Sequence, residues 1–320
     1  MPGGWRFFSA RSALPLSLVS RFVQPACRLA AAGFPKTRDM IRNCHSKSSS
    51  VATTLAAGLL ATIPLHAASF ADGVAGYSAG TGAAPGYTDP SRALGEPSRT
   101  TPFGSDSSEV TPFNPPWAQS QLVSVGGGGY LTLSVSTGIQ NTPDHLYGID
   151  FILFGNNGFM VTDYSVPTEH WTTDGNLFSF DPPGASKVSV SADGVTFYTL
   201  LVPAGLAVQP DSLYPTDSAG AFDRPVNPRL RSEDFAGKDL AAIRALYAGS
   251  AGGTGFDLDW AIRPDGSPAN LAEVRYVRLD VLEGKAEVDG LAVVPEPSLP
   301  GLLSVAGIAS ALLVFRRRAR

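Results

Sequence analysis

The sequence has almost no cysteine. Of its 320 residues only Cys27 and Cys44 carry a thiol, and both lie near the amino terminus. A secretory signal whose small-residue cleavage zone is Ala67-Ala68-Ser69 ends after them, so processing there would remove both. The remaining chain therefore has no disulfide, no thiol nucleophile and no cysteine ligand for a metal ion.

Histidine is also scarce, with four residues in the sequence. Only His145 and His170 lie beyond that cleavage zone, and no His-Glu-x-x-His motif occurs. Two histidines cannot build a histidine-rich zinc site without distant carboxylates, and they give acyl-transfer chemistry little to build on. We interpret His170, which follows Glu169, as a surface loop residue, and a general base is the alternative. The composition favours a protein without a catalytic centre.

Charged residues are few and unevenly distributed. They make up 16% of the sequence, but residues 70–294 contain 12 Lys and Arg against 26 Asp and Glu, a net charge of −14. A domain this acidic repels nucleic acid and anionic surfaces, so we expect no nucleic-acid partner. Divalent cations are the expected ionic partner instead.

The amino-terminal residues are typical of targeting segments. Residues 1–39 are basic without clear periodicity, and we interpret them as an over-extended or disordered terminus; a long natural charged region is the alternative. Residues 40–69 are predicted to be a signal peptide, with Arg42 and Lys47 before an apolar run at 51–65. Fold arguments therefore begin near Phe70.

A second apolar run lies at the carboxyl terminus. Residues 299–315 contain no charged side chain, and 17 residues of α-helix reach about 25 Å, enough for a thin bilayer core. Arg316, Arg317 and Arg318 follow, and basic residues beside a span stay on the cytoplasmic side. The sequence predicts a transmembrane helix at 299–315 and a domain outside the cytoplasm; a buried globular helix is the alternative.

The same region carries a family resemblance. Pro295-Glu296-Pro297, the short apolar span and the terminal arginines together resemble the PEP-CTERM sorting signal of Gram-negative bacteria. The resemblance implies that residues 295–320 are a sorting tail in the inner membrane, which an exosortase-type enzyme processes near the Pro-Glu-Pro motif. It implies export to the cell surface and leaves the molecular activity open.

The region between the two ends, residues 70–294, is long enough for one domain. With 34 Gly and 26 Pro, the composition favours a turn-rich β fold. Residues 130–136 alternate apolar and polar side chains, which predicts a half-buried antiparallel strand. Residues 147–154 are mostly apolar, which predicts a central strand buried on both faces, and 187–201 flank an Asp-Gly turn that predicts a hairpin. A helix is predicted at 232–248. We expect a mainly β domain, an antiparallel jelly-roll-type β-sandwich with one short helix.

The order of these landmarks resembles exported PEP-CTERM proteins with a galactose-binding-like (discoidin-like) jelly roll. The matching segments are 93–95, 124–133, 150–156, 188–198, 255–258, 274–278 and 288–291. Two features depart from the pattern: Gly155-Asn156-Asn157 stands where an acidic residue is common, and the Pro-rich loop at 203–231 is long. The resemblance therefore gives those loops no ligand role.

The resemblance also suggests a structural calcium ion. Such sandwiches often hold one near the start and end of the domain, which here points to Asp89, Glu287 and Asp289. Calcium takes carboxylate and carbonyl oxygens, which an acidic domain supplies in excess. No EF-hand spacing supports the site, and solvated surface carboxylates are the alternative.

Aromatic residues in predicted loops are candidates for sugar contacts, because sugar binding uses exposed aromatic platforms with a few polar groups. The selected ligand-binding candidates are Trp117, Tyr164, Trp171 and Trp260, with Tyr214 as a further loop aromatic. The alternative for each is a side chain that packs into the core.

These observations favour an exported cell-surface or extracellular-matrix protein. Its non-catalytic β-sandwich would bind glycan or matrix components, such as an extracellular polysaccharide. One alternative is a carbohydrate-active hydrolase, which requires two carboxylates. Paired carboxylates occur as Asp257/Asp259 and Glu287/Asp289. The other alternative is a purely structural matrix protein.

Overall fold

A computed structural model describes residues 68–103, 106–178, 185–206 and 214–296. The predicted amino-terminal segment, nearly all of the signal peptide and the predicted helix at 299–315 lie outside these ranges. Among the described residues, none of the helices combines the length and the hydrophobicity of a membrane span. The described ranges cover most of the predicted sandwich.

The described residues form fifteen strands and two short α-helices. Numbered in chain order, the strands are β1 (Ser69–Phe70), β2 (Gly73–Ser78), β3 (Thr100–Phe103), β4 (Asp106–Glu109), β5 (Val123–Gly126), β6 (Tyr130–Gln140), β7 (Phe151–Gly155), β8 (Phe159–Val161), β9 (Thr173–Leu177), β10 (Ala185–Ser191), β11 (Tyr198–Leu200), β12 (Thr254–Phe256), β13 (Ala261–Ile262), β14 (Glu273–Glu283) and β15 (Lys285–Val293). Every pairing between these strands is antiparallel. The predicted mainly β, antiparallel character is confirmed.

Eleven of the strands belong to two sheets. Sheet A has the order β1-β15-β7-β12, and β5 also pairs with β15. Sheet B has the order β13-β11-β10-β14-β6-β2. The other four strands form the hairpins β3-β4 and β8-β9. β7, the most apolar strand, lies inside sheet A between β15 and β12, which agrees with its predicted central position.

Two local predictions concern the start of β7 and the turn between β10 and β11. The apolar segment 147–154 was expected to be extended throughout, but β7 begins at Phe151 because Leu146–Gly148 form a 3-10 turn. The Asp-Gly hairpin between β10 and β11 is confirmed. Asp193 Oδ1 accepts the N–H groups of Val195 and Thr196, each at 2.8 Å, which fixes the turn.

The predicted helix at 232–248 is two helices, so the expectation of one short helix is wrong. The helices are α1 (Ser232–Phe235) and α2 (Leu240–Tyr247). Gly237 between them has φ 73°, a left-handed conformation that ends the first helix. Asp239 starts the second one, because its Oδ1 accepts the N–H of Ala242 at 2.8 Å.

The two sheets enclose one hydrophobic core, and a smaller cluster lies around the helices. Apolar side chains of both sheets meet at Leu131, Leu133, Leu153, Val277, Leu279 and Val288. The smaller cluster joins α1 and α2 to the β8-β9 hairpin through Phe113, Phe159, Val161, Val226, Phe235, Ile243 and Tyr247. The sandwich is thus held by apolar burial, without any cysteine.

The outer faces of the two sheets differ. On sheet A, Phe222 packs edge-on against Phe154 at 5.1 Å and Pro97 packs on Gly290, so loops cover this face. On sheet B, Lys187 is exposed and the Arg278 side chain keeps 30% of its surface open. Sheet B therefore presents polar side chains to solvent.

Candidate functional site

A buried polar cluster lies where the chain enters β7. Asp150 is fully buried and accepts the N–H of Leu258 at 2.8 Å and the N–H of Thr142 at 3.2 Å. His145, 5% exposed, places its Nδ1 2.8 Å from Asp150 Oδ1. Burial raises the pKa of Asp150, and these hydrogen bonds oppose the rise.

The first residues of the Pro-Glu-Pro motif contact this cluster. Thr142 Oγ1 donates to Glu296 Oε2 at 2.7 Å, and His145 Nε2 lies 3.5 Å from the same oxygen. In the described ranges His145 Nε2 has no hydrogen-bond partner, although it is buried. Pro295 lines a cavity of about 310 Å³ with His145, Asp223 and other residues. Pro297 and the tail arginines, the rest of the predicted sorting motif, lie outside the described residues.

The first carboxylate pair of the hydrolase alternative is tied into the turn after β12. Asp257 is half-buried, its Oδ1 accepts the N–H of Asp259 at 2.7 Å, and burial with the nearby Asp150 charge raises its pKa to about 6. Asp259 is exposed and accepts from Asn141 Nδ2 at 2.7 Å. Both side chains therefore hold local structure.

The predicted calcium ligands do not form one site. Asp89 caps the 3-10 turn Pro90–Ala93 by accepting the N–H of Ser91 at 3.1 Å, and its side chain is 48% exposed. Glu287 accepts from Asn156, and its Oε1 lies 3.5 Å from Lys285 Nζ. Across the residues that the structure describes, no three His, Cys, Asp or Glu side chains are arranged to hold a metal ion.

The third predicted ligand, Asp289, has a different environment. It is 2% exposed, and it accepts the N–H of Ser98 at 2.8 Å and the hydroxyl of Ser98 at 2.7 Å. Burial raises its pKa to about 6. Asp289 therefore fastens the segment before β3 onto β15, a structural role that no local sequence pattern separates from metal binding.

The predicted aromatic contacts divide into exposed and buried residues. Tyr164 is 57% exposed and meets Trp171 edge-on, with 5.5 Å between ring centroids. Trp171 is half-buried, and its indole N–H donates to Val166 O at 3.2 Å. Trp117 is 51% exposed, and its indole N–H donates to Pro102 O at 3.0 Å. Three of the four candidates thus present aromatic surface.

Trp260 is buried, and Tyr214 is half-buried. Trp260 is 9% exposed and belongs to the main core, where it packs edge-on to Phe256, so the prediction that it contacts a ligand is corrected. It is the last residue of the short 3-10 turn Leu258–Trp260, in which Leu258 and Trp260 are both buried. Tyr214 packs against the helix cluster and donates its hydroxyl to Leu230 O at 2.7 Å, and burial raises its pKa to about 12.

One further pattern has the spacing of a hydrolase nucleophile elbow. Residues 76–80 read Gly-Tyr-Ser-Ala-Gly. Such an elbow needs the serine on a tight turn between a strand and a helix. Ser78 instead is the last residue of β2, pairs with Tyr130 in sheet B, and is not followed by a helix. The pentapeptide is part of a strand.

Sequence reasoning missed a set of polar residues on the outer face of sheet B. Lys187 and Ser189 of β10 lie beside Arg278 and Asp280 of β14. The signal was present, because residues 187–191 alternate polar and apolar side chains. Such alternation predicts a strand with one solvent-exposed face, but it does not by itself distinguish a binding surface from an ordinary one.

Comparison with known proteins gives no assignment. No family model matches the chain, and no curated protein matches it. The resemblances to PEP-CTERM proteins and to galactose-binding-like sandwiches therefore rest on the residues quoted for them.

Proposed function

We propose that this chain is an exported cell-surface or extracellular-matrix protein of a Gram-negative bacterium whose β-sandwich binds glycan without catalysis. The two sheets would form a jelly roll of the galactose-binding-like kind. The observation that carries the binding role is the Tyr164–Trp171 pair, an exposed ring held edge-on against a second ring.

The pair has the features that sugar contacts require. Trp171 is anchored on one side by Phe113, whose ring centroid lies 6.3 Å away, and by its indole hydrogen bond to Val166. The Tyr164 ring is fixed by Trp171 but still exposes most of its surface. A rigid aromatic surface binds the apolar face of a sugar at little cost in conformational entropy.

The proposed localisation at the cell surface rests on the sequence of the carboxyl-terminal tail. An exosortase-type enzyme would act on the Pro-Glu-Pro motif while the 299–315 helix holds the chain in the inner membrane. The motif begins two residues after β15, and its Glu296 accepts a hydrogen bond from Thr142 Oγ1. Processing would then leave the sandwich at the surface or in the matrix.

Substitution of Tyr164 tests the binding role. On a glycan array, Tyr164→Ala should lower binding by up to about tenfold, since an aromatic contact contributes about 0.5–1.5 kcal/mol. Tyr147→Ala is the matched control, because Tyr147 is also an exposed tyrosine, at 47%, but lies in the Leu146–Gly148 turn before β7 of sheet A. Absence of binding by the wild-type chain across a broad array, or equal binding by both variants, would contradict the proposal.

The raised pKa of Asp257 supports one second candidate, a carbohydrate-active hydrolase. A carboxyl group that keeps its proton until about pH 6 is suited to act as a general acid, with Asp259 as the second carboxylate. Asp257→Asn and Asp259→Asn should each abolish turnover of an aryl glycoside if this is the activity. Unchanged turnover in both variants would remove it.

A further inference from the structure

The outer face of sheet B contains a shallow groove of about 190 Å³. Its lining residues are Lys187, Ser189, Phe197, Thr199, Arg278 and Asp280. Strand register sets this row, because Ser189 of β10 pairs with Thr199 of β11 on one side and with Arg278 of β14 on the other. The groove is therefore built on three paired strands, a more rigid support than a loop.

Two aromatic rings position the guanidinium group in the groove. Arg278 Cζ lies 3.9 Å from the centroid of the Tyr130 ring and 5.7 Å from that of Phe197. Arg278 Nε and Nη2 lie 2.9 Å and 2.8 Å from Asp280 Oδ1. Nη1 makes no hydrogen bond to a described residue, so one side of the planar guanidinium remains available to a ligand.

Three further polar groups in the groove lack protein partners. The Lys187 ammonium and the hydroxyls of Ser189 and Thr199 form no hydrogen bond or ion pair with the described part of the chain. Ser189 is 4% exposed, but its Oγ is not one of the buried unpartnered side-chain atoms of the described residues, so it reaches the open groove. The groove thus offers a cation and two hydroxyls to whatever occupies it.

The charge of the groove is opposite to that of the domain. Residues 70–294 carry a net charge of −14, but the groove has Lys187 and Arg278 against Asp280 alone. A local excess of positive charge on an acidic surface attracts an anionic group and gives it one place to bind. The hydroxyls and the one lining aromatic side chain, Phe197, match a polyhydroxylated ring with an apolar face.

We propose that this groove binds a carboxylated sugar unit of an anionic polysaccharide. Lys187 and the free side of Arg278 receive the sugar carboxylate, Ser189 and Thr199 bond its hydroxyls, and Phe197 covers its apolar face. The volume is below the ~300–1,000 Å³ of sites for drug-sized ligands, and it fits one sugar ring. The proposal rests on the glycan-binding role and names its ligand class, with residues separate from the Tyr164–Trp171 pair.

Titration calorimetry on the full chain in mild detergent tests the groove. The probes are an oligogalacturonate, a neutral galacto-oligosaccharide of equal length and a sulfated one. Oligogalacturonate should bind most tightly, and Lys187→Gln should weaken it by up to about fivefold, the effect of one exposed charge pair. Ser189→Ala should weaken it by about fivefold, the effect of one hydrogen bond.

Lys238→Gln is the matched control, because it removes the same charge outside the groove and should leave the affinity unchanged. Unaltered binding by Lys187→Gln, or equal binding of the neutral probe, would contradict the proposal that the groove binds a carboxylated sugar. Equal binding of the sulfated probe would show a response to charge alone and overturn the carboxylated-sugar assignment. If Tyr164→Ala loses array binding while Lys187→Gln changes nothing, the groove is not the ligand site, but the proposed glycan-binding function still holds. If Lys187→Gln loses binding while Tyr164→Ala changes nothing, the groove is the ligand site, and the Tyr164–Trp171 pair has no role in binding.

Discussion

Polar side chains differ in burial and in hydrogen-bond partners between the two sheets of this sandwich. Around sheet A, the carboxylates of Asp150 and Asp289 are buried, and they accept hydrogen bonds from the backbone N–H groups of Leu258, Thr142 and Ser98. On sheet B, Lys187 and Ser189 face an open groove without protein partners in the described ranges. Both regions use strands as support, but only one leaves its polar groups available.

Desolvation explains the contrast. A buried carboxylate loses its hydration, so it is tolerated only when hydrogen bonds replace the water or when its pKa rises and it keeps its proton. Asp150 and Asp289 show both responses. Polar groups over an open groove have no such cost and are free to exchange water for a ligand. The comparison therefore predicts large stability effects at sheet A and binding effects at sheet B.

Removal of the Asp150 carboxylate should have the largest effect. Asp150→Ala leaves the buried N–H groups of Leu258 and Thr142, and the His145 ring, without their acceptor. We expect the free energy of unfolding to fall by about 3–5 kcal/mol, the cost of breaking a buried polar pair. Urea denaturation measures it.

The matched variant is Asp150→Asn, which keeps one acceptor oxygen and a similar shape. It should lose less stability than Asp150→Ala, because an amide oxygen can still accept the Leu258 N–H. A loss under about 1 kcal/mol in Asp150→Ala would show that the cluster does not hold the entry to β7.

Asp289 should make stability depend on pH. Its pKa is raised from 3.8 to about 6 in the folded state. Below 3.8 the folded and unfolded states are both protonated. As pH rises towards 6 only the unfolded state releases its proton, so stability falls over this window. Between pH 4 and 7 the free energy of unfolding of the wild type should fall by an amount on the order of 2–3 kcal/mol because of Asp289, and Asp289→Asn should abolish this contribution.

Thermal unfolding of wild type and variant at pH 4, 5, 6 and 7 measures this difference. Asp257→Asn serves as the comparison, since its pKa is also raised to about 6 and its contribution has the same sign, though the side chain is only half-buried. The same pH slope in wild type and Asp289→Asn would contradict the assignment.

The contact to the tail should have an intermediate effect. Thr142→Val removes the hydroxyl that donates to Glu296 but keeps the backbone N–H bound to Asp150. We expect a loss of about 0.5–1.5 kcal/mol in urea denaturation. Thr142→Ser retains the hydroxyl and should restore the wild-type value; failure of that rescue would mean that the methyl packing, and not the hydrogen bond, is responsible.

Substitutions in the sheet B groove should have the smallest effect on stability. Lys187→Gln and Ser189→Ala remove groups that have no partners among the described residues. The free energy of unfolding should therefore stay within about 0.5 kcal/mol of the wild-type value. Differential scanning calorimetry measures it. A larger loss would mean that the groove residues are structural, and it would remove the contrast between the sheets.

Much of the fold follows from the sequence. Alternation at 130–136, the apolar run ending at Phe154 and the Asp193-Gly194 turn each predict an element that the structure contains. These signals are local: they depend on side-chain period and turn chemistry. The split helix at 232–248 was missed because an apolar face continues across the break, and the left-handed Gly237 has no periodic signature.

The site was less predictable, because its features depend on contacts between distant segments. Asp289 binds Ser98, which lies 191 positions earlier, so its burial has no local signal. Trp260 resembles a loop aromatic in sequence but packs in the core. The groove needs β10, β11 and β14 side by side, and strand order is not encoded in any one of them.

The most direct test of the account is the intact mass of the protein recovered from the cell envelope and from the medium. Export and tail processing predict a chain that lacks residues up to about Ala68 and that ends, or carries an attached group, near Pro295-Glu296-Pro297. An unprocessed chain that retains residues 1–39 and the complete tail would contradict the proposed address and the surface role that depends on it.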